Sequence, residues 1–203
     1  MLLPWILLSC CGQTSPREDA PPRGAAVLFV LDKSGGMAGN PISHAKAACL
    51  AGVMEMKGEN CAAILAFDAF PHWVAVFAPT REPNPFEQQL GKVHADGGTR
   101  IYPALVEALS GFQGQPLAKA AVRKHIVLIS DGDTPQADHE GIVRKLVQEG
   151  VTVTTICLGN LGRFDAPLMS NISGWGRGRF LFTNTSEDLA RLVTREIRHI
   201  LAE

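Results

Sequence analysis

Three runs of the chain are apolar almost from end to end: AAVLFVL (25–31), CAAILAF (61–67) and HIVLIS (125–130). A strand with one face in water alternates apolar and polar residues. Uninterrupted runs of this length are what strands need when both faces are covered, and that condition is met in parallel sheets packed between helices. The segments between the runs read as helices. PISHAKAACLAGVMEM (41–56) has Pro41 in its first turn, and RIYPALVEALSGF (100–112) places Ile101, Leu105, Ala108, Leu109 and Phe112 along one stripe. HEGIVRKLVQEG (139–150) is amphipathic and closes on Gly150.

The pattern continues with a β-branched strand, VTVTTICLG (151–159), a short helix, DAPLMSNIS (165–173), and a strand, GRFLFT (178–183). A last helix spans SEDLARLVTREIRHILAE (186–203), with Ser186 as its expected N-cap and Leu189 and Leu192 facing inward. HWVAVF (72–77) follows a turn and reads as a hairpin partner at a sheet edge, and TREPNP (80–85) reads as loop. Strands alternating with helices predict an α/β fold, a doubly wound, Rossmann-like and mostly parallel sheet. It carries one antiparallel edge strand and helices on both faces. The expected domain is 25–203.

Residues 1–24 differ in character. MLLPWILLSCCG is apolar, and QTSPREDAPPRG is a polar, Pro-rich spacer. LLSC, ending at Cys10, resembles a bacterial lipobox, so export to the cell envelope with a lipid on Cys10 is the expectation for this segment; without it the chain would be cytoplasmic. Cys61 and Cys157 sit in apolar runs and read as small core residues, and no CxxC pair or zinc-like Cys/His spacing occurs. A net charge of -1 gives no electrostatic reason to expect nucleic acid or an anionic membrane surface as partner.

In doubly wound sheets ligands bind beyond the carboxyl ends of the strands. Three segments fall there: DKSGG (32–36) after the first strand, DGGTR (96–100) before a helix, and SDGDTP (130–135) after the third buried strand. Asp32, Ser34, Thr99 and Asp131 would then converge on one point. Two carboxylates and two hydroxyls are hard oxygen donors, the set that suits Mg²⁺, Mn²⁺ or Ca²⁺ with water completing the shell. Taken singly, each of the four also reads as a residue capping a strand-to-helix turn. The six histidines share no short ligand spacing, and Trp73 and Trp175 read as packing anchors.

With these motifs in family order from about residue 25 to 201, the sequence resembles the von Willebrand factor type A domain, specifically its bacterial envelope and membrane-associated branch. That family carries a metal-ion-dependent adhesion site built from an Asp-x-Ser-x-Ser loop, a distant Thr and a distant Asp. The matching positions are Asp32 and Ser34, Thr99 and Asp131. The second serine of the pattern is Gly36 here. The resemblance implies a non-catalytic protein-binding module in which a bound cation accepts an Asp or Glu carboxylate from a partner protein. Lys33, Gly36, Arg100 and Asp133 would form the surrounding rim. Asp68 and Asp133 are expected to face solvent or to stand behind the ligands. With one hydroxyl missing, the alternative is a metal-free scaffold that assembles a larger complex. A hydrolase is the poorer match: Asp32-x-Ser34 is not the Asp-x-Asp of phosphatase-type enzymes, and Ser34 lacks the first glycine of GxSxG.

Overall fold

The structure, a computed structural model, describes residues 24–159 and 166–202. The proposed lipidation at Cys10 and the first residue of the helix expected at 165–173 lie outside the described residues. The strands are β1 (Ala25–Asp32), β2 (Cys61–Phe67), β3 (Pro71–Pro79), β4 (Arg123–Ser130), β5 (Val151–Leu158) and β6 (Arg177–Thr183). They form one sheet in the order β3-β2-β1-β4-β5-β6. All neighbours are parallel except β2 and β3, which are antiparallel. The fold is the doubly wound α/β sheet that the alternation predicts.

Every residue of β1, from Ala25 to Asp32, is buried. Its period-two alternation divides the core between the faces. Ala26, Leu28 and Val30 pack in one cluster with Ile101, Leu105 and Phe112 of α3 (Ile101–Gly114), and with residues of α5 (His139–Gln148) and α6 (Ala166–Trp175). Val27, Phe29 and Leu31 pack in the other with α1 (Asn40–Glu55) and α7 (Leu189–Ala202). Gly52 lets α1 approach: a Cβ there would stand 2.6 Å from the Phe29 ring and 2.8 Å from Val193 of α7.

Two helices depart from the sequence expectation. α2 (Asn84–Gly91) begins within the stretch read as loop, with Pro85 in its first turn and Phe86 and Leu90 buried four residues apart. α4 (Pro116–Ala120) is one short turn before β4. The last helix also starts later than expected. Residues Ser186–Asp188 form a 3₁₀ turn, the helix begins at Leu189, and Ser186 makes no N-cap bond. Its hydroxyl is instead 2.7 Å from His44 Nδ1 on α1, a partner distant in sequence that competes with local capping. Leu189 and Leu192 are buried as expected.

Candidate functional site

The order of strands reverses direction at β1, whose neighbours are β2 on one side and β4 on the other. The registers Asp32↔Phe67 and Leu31↔Ile129 set the carboxyl ends of these three strands side by side. Asp32, the last residue of β1, is fully buried there. Its Oδ1 accepts the Ser34 N–H at 2.8 Å and its Oδ2 accepts the Ser130 hydroxyl at 2.5 Å. Ser130 Oγ in turn accepts the Gly132 N–H at 2.9 Å. Burial pushes the Asp32 carboxyl up from 3.8 to about 6; the bonds from Ser130 and Ser34 pull it down by less, and the nearby Asp131 charge adds to the rise.

Three loops are tied together above this carboxylate. Gly35 N–H donates to Gly97 O at 3.0 Å, and Asp96 N–H donates to Lys33 O at 2.7 Å. Ile101 N–H donates to the Thr134 hydroxyl at 3.1 Å, which joins the loop after β4 to the start of α3. The result is an open cleft of about 730 Å³ lined by, among others, Ser34, Gly36, Thr99, Arg100, Asp131 and Asp133. Lys33 is turned away: its ammonium is paired with Asp68 and it does not line the cleft. Asp68, for its part, is mostly buried and does not face open solvent. Asp133 is exposed, and its N–H reaches Asp131 Oδ1 at 3.5 Å. Trp73 is half-buried against the core and donates to Glu107 at 2.6 Å, and Trp175 packs on the same cluster.

The Ser34 hydroxyl is the informative atom. Ser34 is only 2% exposed, and its Oγ makes no well-formed hydrogen bond among the described residues; its neighbour is the Asp32 carboxylate, whose charged form it favours. A buried hydroxyl without a well-formed bond keeps donor and acceptor capacity for a ligand or a water at that point. The Thr99 side chain, half-buried on the same cleft, also shows no hydrogen bond among the described residues. Gly36 explains part of the local packing. A Cβ added there would collide with Asp131 Oδ2 and stand 3.9 Å from Ser34 Oγ. The Asp131 carboxylate thus rests against the Gly36 backbone. Gly36 is not in the left-handed region, so nothing but this contact opposes a side chain.

Among the described residues no group of three or more His, Cys, Asp or Glu side chains gathers at one point. The donors on this rim are of a different kind: two carboxylates, one of them buried, and the Ser34 and Thr99 hydroxyls. That set fits a hard cation that keeps much of its water, and does not fit zinc or another soft metal. Ser130 and Thr134 were not anticipated. Ser130 ends a buried strand beside Asp32 and Thr134 lies four residues beyond it, but their roles depend on bonds between loops that spacing does not reveal.

A family model described as von Willebrand factor type A domain matches residues 27–133, more than half of the chain. The chain is 26% identical over 165 residues to an uncharacterized protein of Synechocystis, covering 80% of this chain and 39% of that protein. It is 28% identical over 148 residues to pig inter-alpha-trypsin inhibitor heavy chain H4, covering 70% of this chain and 16% of that protein. The chain therefore spans well under half the length of both relatives. Among solved structures, BatB of Bacteroides thetaiotaomicron superposes with a TM-score of 0.75 at 16% identity, covering 89% of this chain and 100% of that one. The von Willebrand domain of the type V pili tip protein Mfa5 of Porphyromonas gingivalis superposes with a TM-score of 0.73 at 16% identity, covering 89% of this chain and 96% of that one. At these identities the structural likeness speaks to the fold.

Proposed function

The chain belongs to the von Willebrand factor type A domain family, and from that premise we propose that it is a non-catalytic protein-binding module. In this reading Asp32, Ser34, Thr99 and Asp131, directly or through water, hold Mg²⁺, Mn²⁺ or Ca²⁺ at the rim. A bound cation supplies positive charge and an open position for an Asp or Glu carboxylate of a partner protein. The observation that carries the proposal is the buried Ser34 hydroxyl, without a well-formed hydrogen bond, beside the Asp32 carboxylate and on the same cleft as Asp131. It is supported by Asp32, a carboxylate held without a positive partner where burial favours its neutral form. Arg100 and Asp133 flank the position the partner would take. Lys33 acts from behind, fixing the loop through Asp68.

Gly36 supports a second reading, a metal-free assembly scaffold, because Asp131 rests where a family hydroxyl would project. Diffraction from crystals soaked in millimolar Mn²⁺ separates the two. An anomalous peak among Ser34, Thr99 and Asp131 is expected, and its absence would favour the scaffold.

The proposed organisation is a tether over residues 1–24 and the binding domain over 25–203, with the protein in the cell envelope and lipid on Cys10. The envelope setting is supported by a solved neighbour described as an aerotolerance-related membrane protein of Bacteroides fragilis. Labelling of the full-length chain with a lipid precursor in a bacterial host tests it. Loss of label in Cys10→Ser is expected, and an unlabelled parent would remove the anchor.

A further inference from the structure

The turn between β2 and β3 stands beside the cleft, because Ala69 is one of its lining residues. Phe70 follows, outside the lining itself, and is 69% exposed, the only aromatic ring among the large apolar side chains that the described residues leave in water. Isolated exposed apolar residues are ordinary. Val122, just before β4, and Met54, in the last turn of α1, belong to the opposite end of the sheet. Phe70 differs in its place and in how firmly it is held. Asp68 N–H donates to Phe70 O at 3.2 Å, and Phe70 N–H donates to Asp68 Oδ1 at 2.9 Å. The same Asp68 carboxylate takes the Lys33 ammonium and lies 3.5 Å from His72 Nε2. Its backbone oxygen accepts the Arg100 N–H at 2.9 Å. One residue thus fixes the backbone of both an exposed phenylalanine and an exposed arginine, on two loops bordering one cleft. The Arg100 side chain has no ion pair or hydrogen bond among the described residues.

We propose that the surface recognises a protein segment in which an acidic residue is flanked by aliphatic side chains. The carboxylate enters the cleft, drawn by the unpaired Arg100, and an aliphatic neighbour packs on the Phe70 ring. This rests on the binding reading above and adds the partner's class. The preformed turn keeps the ordering cost of binding low, since its backbone need not be ordered when the ring is covered. Charge alone would steer any acidic segment, whereas the ring discriminates among them by apolar contact.

The test uses the full chain in Mn²⁺ and three fluorescein-labelled peptides, Gly-Leu-Asp-Leu-Gly, Gly-Gly-Asp-Gly-Gly and Gly-Leu-Asn-Leu-Gly, read by fluorescence polarisation. The first is expected to bind about tenfold tighter than the second, and the third not to bind. Phe70→Ala should bring the two acidic peptides together without changing the melting temperature, and Phe70→Leu should keep the preference. Equal affinity of the parent for both acidic peptides overturns this inference and leaves the binding reading standing. Binding of the Asn peptide as tightly as its Asp counterpart also overturns it, because the apolar contact would then act without the cleft. If no acidic peptide binds, the binding reading itself fails and takes the inference with it.

Discussion

Asp32→Asn should stabilise the metal-free protein at neutral pH and weaken its response to metal. Burial raises the Asp32 carboxyl from 3.8 to about 6, so keeping it ionised in the fold costs roughly 3 kcal/mol. The sign follows from the raised value. The cost is full above about pH 6, shrinks as pH falls, and is gone below about 4, where Asp32 is protonated in both folded and unfolded chains. Asparagine removes it. The amide oxygen can still accept the Ser34 N–H, and the amide N–H can donate to Ser130 Oγ, but the Ser130 hydroxyl must then find another acceptor. A buried hydroxyl left without an acceptor costs about 1–3 kcal/mol. The net gain is about 0–2 kcal/mol at pH 8, or a melting temperature up to about 8 °C higher for a domain of this size. Urea unfolding in EDTA from pH 4 to 8 measures it. Buried His125, whose value is depressed to about 4, loses stability over the same range as pH falls, but it does so in parent and variant alike and cancels in the difference. A variant that is less stable than the parent at pH 8, or a difference that does not change with pH, would refute the argument.

Gly36→Ser must turn the Asp131 carboxylate aside, so in EDTA it should lower stability by about 1 kcal/mol, while in Mn²⁺ its affinity should be several-fold tighter than the parent's. Gly36→Ala should share the loss and lack the gain; identical Mn²⁺ affinities in Ser and parent would show that the loop does not face the ion. Gly52→Ala should destabilise by about 1–3 kcal/mol in urea unfolding, because its methyl meets Phe29 and Val193; a neutral or stabilising effect would mean that α1 and α7 separate at little cost.

Much of the fold is legible in β1. Its unbroken burial on both faces is written as an unbroken apolar run, and a covered parallel sheet, with helices between the strands, accommodates several such strands. α2 was harder to see because Phe86 and Leu90 are its only buried apolar pair and prolines stand before it at 83 and within it at 85. Ser186 carries an N-cap signal, yet a hydroxyl also serves a distant partner, and His44 outcompetes the local role. In the site, Asp32 stands out because a carboxylate ending an apolar run has no packing explanation. Ser130, Thr134 and the Lys33–Asp68 pair do not stand out, since each acts across loops far apart in the chain. The role of Gly36 is likewise a contact with Asp131, ninety-five positions away, that no local pattern encodes.

The central claim is that the rim takes a divalent cation. Calorimetric titration of the full chain with Mn²⁺ and Mg²⁺, beside Asp131→Ala, tests it most directly. The account predicts one saturable site in the parent, a melting temperature that rises with metal, and loss of both in Asp131→Ala. A parent that shows neither heat nor a melting shift in millimolar Mn²⁺ would contradict it.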